Sequence, residues 1–190
     1  ASSVLQRTLD SVLMQSYQNV EHLILDGASR DNTVTMIKEY IAKSDDIQDT
    51  RHRIIFTSEP DNGLYDAMNK GIAMASGNII GILNSDDFYV HSDVIKDVVT
   101  AFESDTEIGI VYGDLLYVDA HDVNKTIRIW KSGEYRAGLF ESGWHPPHPS
   151  FFVCKKVYDK FGLFNTGLKI AADYELMLRF IHKHSVKTAY

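Results

Sequence analysis

Apolar residues recur along this chain with two periods, and the alternation between them predicts the elements. Leu5, Leu9, Val12 and Leu13 fall at helical spacing and predict an amphipathic helix from Ser3 to about Ser16. Val20 to Leu25 reads as a strand that ends in the polar run Asp26-Gly27-Ala28-Ser29-Arg30-Asp31. Asp31 or Asn32 is placed to cap a second helix, whose apolar positions are Val34, Ile37 and Ile41. Ser44 to His52 reads as a charged loop, and Arg53 to Thr57 as the next strand, closed by the turn Glu59-Pro60-Asp61-Asn62-Gly63. Leu64, Met68, Ile72 and Ala75 form another helical stripe, stopped by Gly77. An unbroken apolar run, Ile79 to Leu83, follows. It predicts a strand buried on both faces, as in a parallel sheet, and it ends in Asn84-Ser85-Asp86-Asp87.

Alternating helix and strand in this half implies a mainly parallel sheet with right-handed crossovers. Val94, Val98, Val99 and Phe102 add one more helix. Beyond it the pattern changes. Ile108–Tyr112, Leu115–Val118 and Thr126–Trp130 read as strands with few helices between them. Ser132 to Ser150 is long, irregular and rich in Gly, Pro and aromatics, the character of a lid or binding loop. A helix over about Ala172–His184 and a strand over Val186–Tyr190 close the chain. The expected fold class is α/β: an open, Rossmann-like, mainly parallel sheet flanked by helices, with a mixed C-terminal half.

Composition narrows the function. A length of 190 residues predicts one domain with a substantial core. The net charge of −7 argues against a dedicated nucleic-acid binder. Cys154 is the single cysteine, which excludes an internal disulfide and disfavours a thiolate zinc site, while eight histidines leave other ligands available. No stretch has the pattern of a signal peptide or a membrane span. A cytoplasmic setting is expected, with a longer parent chain lying at the cytoplasmic face of a membrane as the variant.

Chemistry concentrates in carboxylates at the ends of predicted strands. Asp86 and Asp87 adjoin one another, and like charges of this kind call for a counter-charge when desolvated. Hard oxygen ligands suit Mg2+ or Mn2+, which bind one or two carboxylates together with substrate phosphates. A plain turn that caps the next helix is the competing reading. Asp26 and Asp61 end the first two strands. With parallel strands they share a sheet edge with Asp86 and Asp87, the edge where open α/β sheets bind ligands. Asp26 there suits a base or a ribose hydroxyl; ordinary Asp-Gly turn chemistry is the alternative. Asn69 and Lys70 lie on the following helix, Lys70 facing a phosphate or simply water. Gly63 and Gly71 either allow close backbone approach or, for Gly71, serve packing. His145-Pro146-Pro147-His148-Pro149 holds two imidazoles on stiff backbone, as metal or substrate contacts or as ordinary packed residues. Asp173 shares a helix face with Leu176, Met177 and Phe180, so it is partly buried in the first turn. It is placed either as a general base in a cleft or as an N-cap.

Five runs together resemble the family 2 glycosyltransferases of the GT-A fold. They are Ser11-Val12-Leu13-Met14-Gln15-Ser16-Tyr17, then Asp26 to Thr33, then Glu59-Pro60-Asp61-Asn62-Gly63-Leu64-Tyr65-Asp66-Ala67-Met68-Asn69-Lys70-Gly71, then Asn84-Ser85-Asp86-Asp87, and finally Ala171-Ala172-Asp173-Tyr174-Glu175. The resemblance covers nearly the whole chain and keeps the family's motif order. It implies an inverting, metal-dependent transferase that moves a sugar from a nucleotide-diphosphate donor, a UDP-sugar by resemblance, to a saccharide or lipid-linked saccharide acceptor. Assembly of a cell-surface polysaccharide or glycolipid is the implied setting. By the same resemblance, Asp26 contacts the base, Asp86 and Asp87 match the DXD-type signature with Asp86 nearer the ribose and Asp87 on Mn2+ or Mg2+, and Asp173 is the catalytic base. Asp61 and Asn69 lie around the donor, and His148 is a further metal or donor-site ligand. The family usually opens with a strand that this sequence lacks, so an exposed neighbouring strand and an incomplete nucleotide pocket are expected. A metal-dependent nucleotidyltransferase and a non-catalytic sugar-nucleotide binding module are the competing functions. The first should carry a basic, glycine-rich phosphate loop, and none is visible.

Overall fold

A computed structural model describes residues 2–46 and 52–190 of the chain. Along it run α1 (Ser2–Leu13), β1 (Val20–Asp26), α2 (Thr33–Asp46), β2 (His52–Ser58), α3 (Leu64–Met74), β3 (Ile79–Gly81), α4 (Val94–Ser104) and β4 (Ile110–Tyr112). They are followed by β5 (Leu115–Val118), β6 (Thr126–Trp130), β7 (Phe151–Cys154), α5 (Lys155–Phe161), α6 (Ala172–Met177) and β8 (Thr188–Ala189). Two compact units result, Ala1–Asn78 with Leu83–Val99, and Ile79–Ile82 with Thr100–Tyr190. The charged loop expected over Ser44–His52 falls mostly outside the described residues. What is described shows α2 running on to Asp46 and β2 opening at His52.

In the first unit, β1 and β2 pair in parallel with an unbroken register, from Val20 opposite His52 to Asp26 opposite Ser58. A parallel pair needs a crossover, and α2 supplies it. The apolar stripe of α1 faces inward as its spacing predicts. Leu5, Leu9, Ile37 and Tyr40 form the buried cluster, with Leu13, Ile24, Ile41, Ile54 and Phe56 packed against it. Burial of side chains such as Leu9 and Ile37 stabilises by about 1.5–3 kcal/mol each. Helix α3 comes so close to β1 that a Cβ on Gly71 would lie 2.7 Å from Leu25 Cδ1. Close packing therefore accounts for that glycine.

The second unit contains a four-stranded sheet in the order β3-β7-β4-β8. Strand β7 runs antiparallel to β3 and β4, while β8 is parallel to β4. Strands β5 and β6 form a separate antiparallel hairpin with an irregularity at Tyr117/Val118. At the centre, Ile110, Val111, Tyr112, Phe151, Phe152 and Val153 are all buried. Helix α6 buries Leu176 and Met177, then widens to π-helical geometry over Leu178–Lys183, which buries Phe180 and Ile181. Arg179, beside this core, pairs with Glu175 at 2.8 Å and donates to the carbonyls of Phe161, Gly162 and Leu163. Those are the last carbonyls around the end of α5, so one guanidinium closes that helix.

Two expectations change. The Ile79–Leu83 run yields only three strand residues, paired antiparallel to β7, with Gly81 exposed rather than buried on both faces. A partner strand, β7, was hidden in the sequence between a proline-rich loop and α5. The second change follows from the first. Strand β3 is not hydrogen-bonded into the β1–β2 sheet, so Asp86 and Asp87 do not share a sheet edge with Asp26. The chain leaves the strand at Gly81, and the acidic pair sits in the loop beyond it.

Candidate active site

Asp26 is the last residue of β1, and the register of the parallel pair sets Ser58 directly opposite. Ser58 Oγ donates to Asp26 Oδ2 at 2.6 Å, and the Ser29 amide donates to the same oxygen at 3.0 Å. Burial alone would raise this carboxyl, but these hydrogen bonds outweigh it and hold the group below the usual carboxylate range. Asp26 thus stays ionised, with Oδ1 outside both bonds.

Asp61 follows β2 and accepts from the Gly63 amide at 2.9 Å. Its carboxylate lies over Gly27, where a Cβ would meet Oδ2 at 2.6 Å. The missing side chain at Gly27 is therefore what lets Asp61 come up to the Asp26–Gly27 turn. Asn69 lies on α3, half-buried. Lys70 is engaged by Glu59 at 3.1 Å and Asp66 at 3.5 Å, ion pairs that neither the phosphate nor the solvated reading of this lysine included.

Asp86 and Asp87 occupy a turn closed by the Asp87 amide on the Asn84 carbonyl at 3.1 Å. Asn84 Nδ2 also donates to Asp87 Oδ2 at 3.1 Å. Burial raises the Asp87 carboxyl, and the Asp86 charge adds to it against the Asn84 bond. Asp86 itself is exposed. Among the described residues no three His, Cys, Asp or Glu side chains gather into a metal cluster. Two adjacent carboxylates still fit a hard divalent ion whose other ligands are substrate phosphates and water. Asp87, with the Asp86 charge beside it, is the residue that would hold it.

Helix α1 and the residues just past its end hold this turn in place. Thr8 Oγ1 donates to the Ser85 carbonyl at 2.9 Å, and the Tyr89 amide donates to Ser11 Oγ at 3.2 Å. Gln15 Nε2 donates to the His91 carbonyl at 2.8 Å, while Gln15 Oε1 accepts from the Ile95 amide at 3.0 Å. Ser16 Oγ donates to Asp93 Oδ1 at 2.5 Å. Thr8, Ser11 and Gln15 are buried polar residues; Ser11 and Gln15 stand in the first run of the family resemblance but carry no role there, and Thr8 lies outside it. Their signal was present: i, i+3 and i+7 spacing beside the apolar stripe of the helix expected to run to about Ser16, although α1 itself ends at Leu13.

In the second unit, Asp173 sits half-buried in the first turn of α6. The N-cap position belongs to Ala171, in left-handed conformation with φ 62°, so Asp173 is not the cap. His148 is near enough that the Asp173 charge supports its protonated form, but burial dominates and lowers the imidazole below its ordinary value. Phe164 packs edge-on to His148 at 5.9 Å. The irregular Ser132–Ser150 segment is anchored rather than loose. Trp144 Nε1 donates to the Ser132 carbonyl at 2.7 Å, and Ser150 Oγ to the Gly113 carbonyl at 2.8 Å. Aromatic edges connect it to α6: Tyr174 meets His145 at 5.4 Å and Phe140 at 6.0 Å.

Comparison with known proteins accords with this arrangement. The profile of glycosyl transferase family 2 matches residues 1–162. An uncharacterized glycosyltransferase of Mycobacterium tuberculosis is 31% identical over 182 residues, covering 92% of this chain and 63% of that protein. A PGL/p-HBAD biosynthesis glycosyltransferase of Mycobacterium bovis is 24% identical over 189 residues, covering 100% of this chain and 69% of its own length. Among solved structures, a mannosyltransferase of Pyrobaculum calidifontis in complex with GDP-Man and Mn2+ superposes with a TM-score of 0.66 at 16% identity, over 95% of this chain and 50% of that one. The enzyme TarS of S. aureus in complex with UDP gives 0.67 at 14% identity, over 95% and 52%. The chain therefore spans just under two thirds of the first of these relatives and about half of the solved structures. These neighbours place the fold in the GT-A class, as its sequence resemblance implies. With the profile matched over most of its length, this chain belongs to glycosyl transferase family 2.

Proposed function

We propose that this chain is the catalytic core of an inverting glycosyltransferase that uses a nucleotide-diphosphate sugar and a divalent cation. The observation that carries it is the preparation of acidic groups in the first unit. Asp26 is fixed as an ionised acceptor, Asp61 is laid over Gly27, and Asp87 is fixed on a turn beside Asp86. Asp26 takes the base or ribose donors, with Asp61 and Asn69 around the donor and Asp86 nearer the ribose. Asp87 would hold Mn2+ or Mg2+. Bound there, the ion neutralises charge on the departing diphosphate.

Asp173 takes the proton. The acceptor hydroxyl oxygen bonds to the anomeric carbon as the bond from that carbon to the diphosphate oxygen breaks. Nucleoside diphosphate leaves, and the hydroxyl proton passes to the Asp173 carboxylate. The solved neighbours are in complex with GDP-Man and Mn2+, with UDP and with UDP-GlcNAc, which supports a nucleotide-sugar donor. The relative in PGL/p-HBAD biosynthesis supports a saccharide or lipid-linked acceptor in cell-surface glycolipid or polysaccharide assembly. No described helix is long and apolar enough to cross a membrane.

Isothermal titration with UDP-glucose, UDP-N-acetylglucosamine and GDP-mannose, with and without Mn2+, tests the donor. Product analysis tests the reaction: released nucleoside diphosphate is expected, and pyrophosphate would indicate nucleotidyl transfer. Asp173→Asn should lower turnover by about 10²–10⁴-fold and leave donor Kd within a few-fold. Equal loss of turnover and donor affinity would overturn the base assignment.

A further inference from the structure

We infer that Thr8 and Ser11 on α1, with Gln15 just past its end, form a positioning device that sets the Asp86–Asp87 turn for the cation and diphosphate of the donor. It rests on the donor-site reading above and adds residues that touch no ligand. The bonds fall on backbone to both sides of the acidic pair. Ser85 immediately precedes it, and Tyr89, His91 and Ile95 follow. None of these bonds engages either carboxylate, so the turn is fixed through its backbone, and Asn84 alone bonds one Asp87 oxygen among the hydrogen bonds described above.

The chemistry of the helix supports a purpose beyond packing. An apolar face would bury more surface at no polar cost. Buried hydroxyls and amides stabilise little net, yet each is costly to leave unmatched. Thr8, Ser11 and Gln15 are all buried and all matched to the loop. What such an arrangement supplies is direction: two adjacent carboxylates repel, and an untethered loop would let them diverge. Tethering removes that freedom before the ligand arrives, which is how a preorganised site gains affinity. The neighbouring apolar stripe of α1 is packed in the Leu5–Leu9–Ile37–Tyr40 cluster, against which Ile24 of β1 and Ile54 and Phe56 of β2 also pack. One helix thereby references the acidic turn to the sheet that carries Asp26.

Thr8→Val removes the donor to Ser85 at nearly constant shape, Thr8→Ser keeps it, and Ser11→Ala removes the acceptor for Tyr89. Two readouts separate positioning from bulk stability. Hydrogen exchange of the Asn84–Asp93 segment, measured without any ligand, should quicken in Thr8→Val and Ser11→Ala and return to normal in Thr8→Ser. The Kd for UDP or GDP with Mn2+ should weaken about tenfold in the two deficient variants, while that for uridine or guanosine alone stays unchanged. Thr8→Ser should restore it. Wild-type protein that gains no affinity for either diphosphate from Mn2+ would overturn the donor-site reading, and this inference with it. A normal Mn2+ gain in wild type, retained in full by Thr8→Val and Ser11→Ala, would overturn the positioning role alone. Parallel weakening of nucleoside and diphosphate binding would show a merely structural role and overturn it too.

Discussion

Gly27→Ala separates a glycine needed by the backbone from one needed by a neighbouring carboxylate. Gly27 is not in the left-handed region, so alanine meets no backbone strain there. Its Cβ would lie 2.6 Å from Asp61 Oδ2 and 3.4 Å from Cγ. Ordinary contact begins near 3.4 Å, so that oxygen must retreat by about 0.8 Å. Asp61 is exposed, and its carboxylate is free to swing, at the cost of the 2.9 Å bond from the Gly63 amide. Losing an exposed hydrogen bond costs about 0.5–1.5 kcal/mol. Replacing glycine returns about 0.4–1 kcal/mol through the unfolded chain. The two nearly cancel, so urea unfolding should show a change within about 1 kcal/mol. Donor affinity should not be spared. If Asp61 contacts the donor from this position, titration calorimetry with UDP and Mn2+ should show Kd weakened roughly tenfold, the worth of one good polar contact. Asp61→Ala should weaken it comparably, and adding Gly27→Ala to Asp61→Ala should do nothing more. An unchanged Kd in Gly27→Ala would refute the placement of Asp61 at the donor. A loss of stability beyond about 2 kcal/mol would show that the glycine serves the fold instead.

Gly81, itself exposed, poses the same question against a core residue, because its Cβ would lie 2.5 Å from a ring carbon of the buried Phe152, its cross-strand partner. That rigid ring cannot swing aside, so Gly81→Ala should destabilise by about 1–2 kcal/mol in urea, overpacking outweighing the gain in strand propensity; equal or greater stability would refute it. His22 predicts a pH dependence. Burial, with His52 nearby, lowers its imidazole from 6.5 to about 4, so between those values the unfolded chain binds a proton that the folded chain refuses. Stability should hold above pH 6.5 and fall by about 3 kcal/mol as pH drops toward 4, at 1.36 kcal/mol per pH unit. His22→Gln should flatten that limb of a urea-derived stability profile, and an unaltered slope would assign the acid sensitivity elsewhere.

Elements with strong periodicity were legible in the sequence. The α1 stripe and the alternating β5 and β6 came out where the pattern put them, β5 and β6 to the residue. Strand β7 and helix α5 were missed for a physical reason. Phe151, Phe152 and Val153 are buried on both faces, so they show no alternation, and four residues are too few to announce a strand. The β3 run misled in the opposite sense, since five apolar residues gave three in the sheet. Site positions were legible as well, but their geometry was not. Which residue faces Asp26 depends on the register with β2, and only pairing reveals Ser58. That Asp61 leans on Gly27 is likewise a tertiary fact. The roles of Thr8, Ser11 and Gln15 were not legible, because polar residues in and just after a helix are by default assigned to water, whereas here they face the chain's own backbone.

The two acidic centres of the first unit are prepared for different partners, and the difference describes a ligand. Asp26 has its ionised form stabilised by Ser29 and Ser58, so it is a weak base and a steady acceptor for neutral N–H or O–H groups. Asp87 is the reverse. Burial and the Asp86 charge raise its carboxyl, so its ionised form lacks a counter-charge that a cation would provide. Binding a divalent ion would relieve both the burial and the repulsion, and that relief adds to the affinity of the pair for the ion. A ligand suited to both centres presents neutral donors at one end and a metal-chelating anion at the other. A nucleoside diphosphate has that polarity. A free sugar lacks the anion, and inorganic diphosphate lacks the neutral donors, so each should engage only one centre. The measured consequence is that UDP or GDP with Mn2+ should bind more tightly than either uridine, guanosine or diphosphate alone, and an equal affinity for the free diphosphate would leave Asp26 without a part in the donor site.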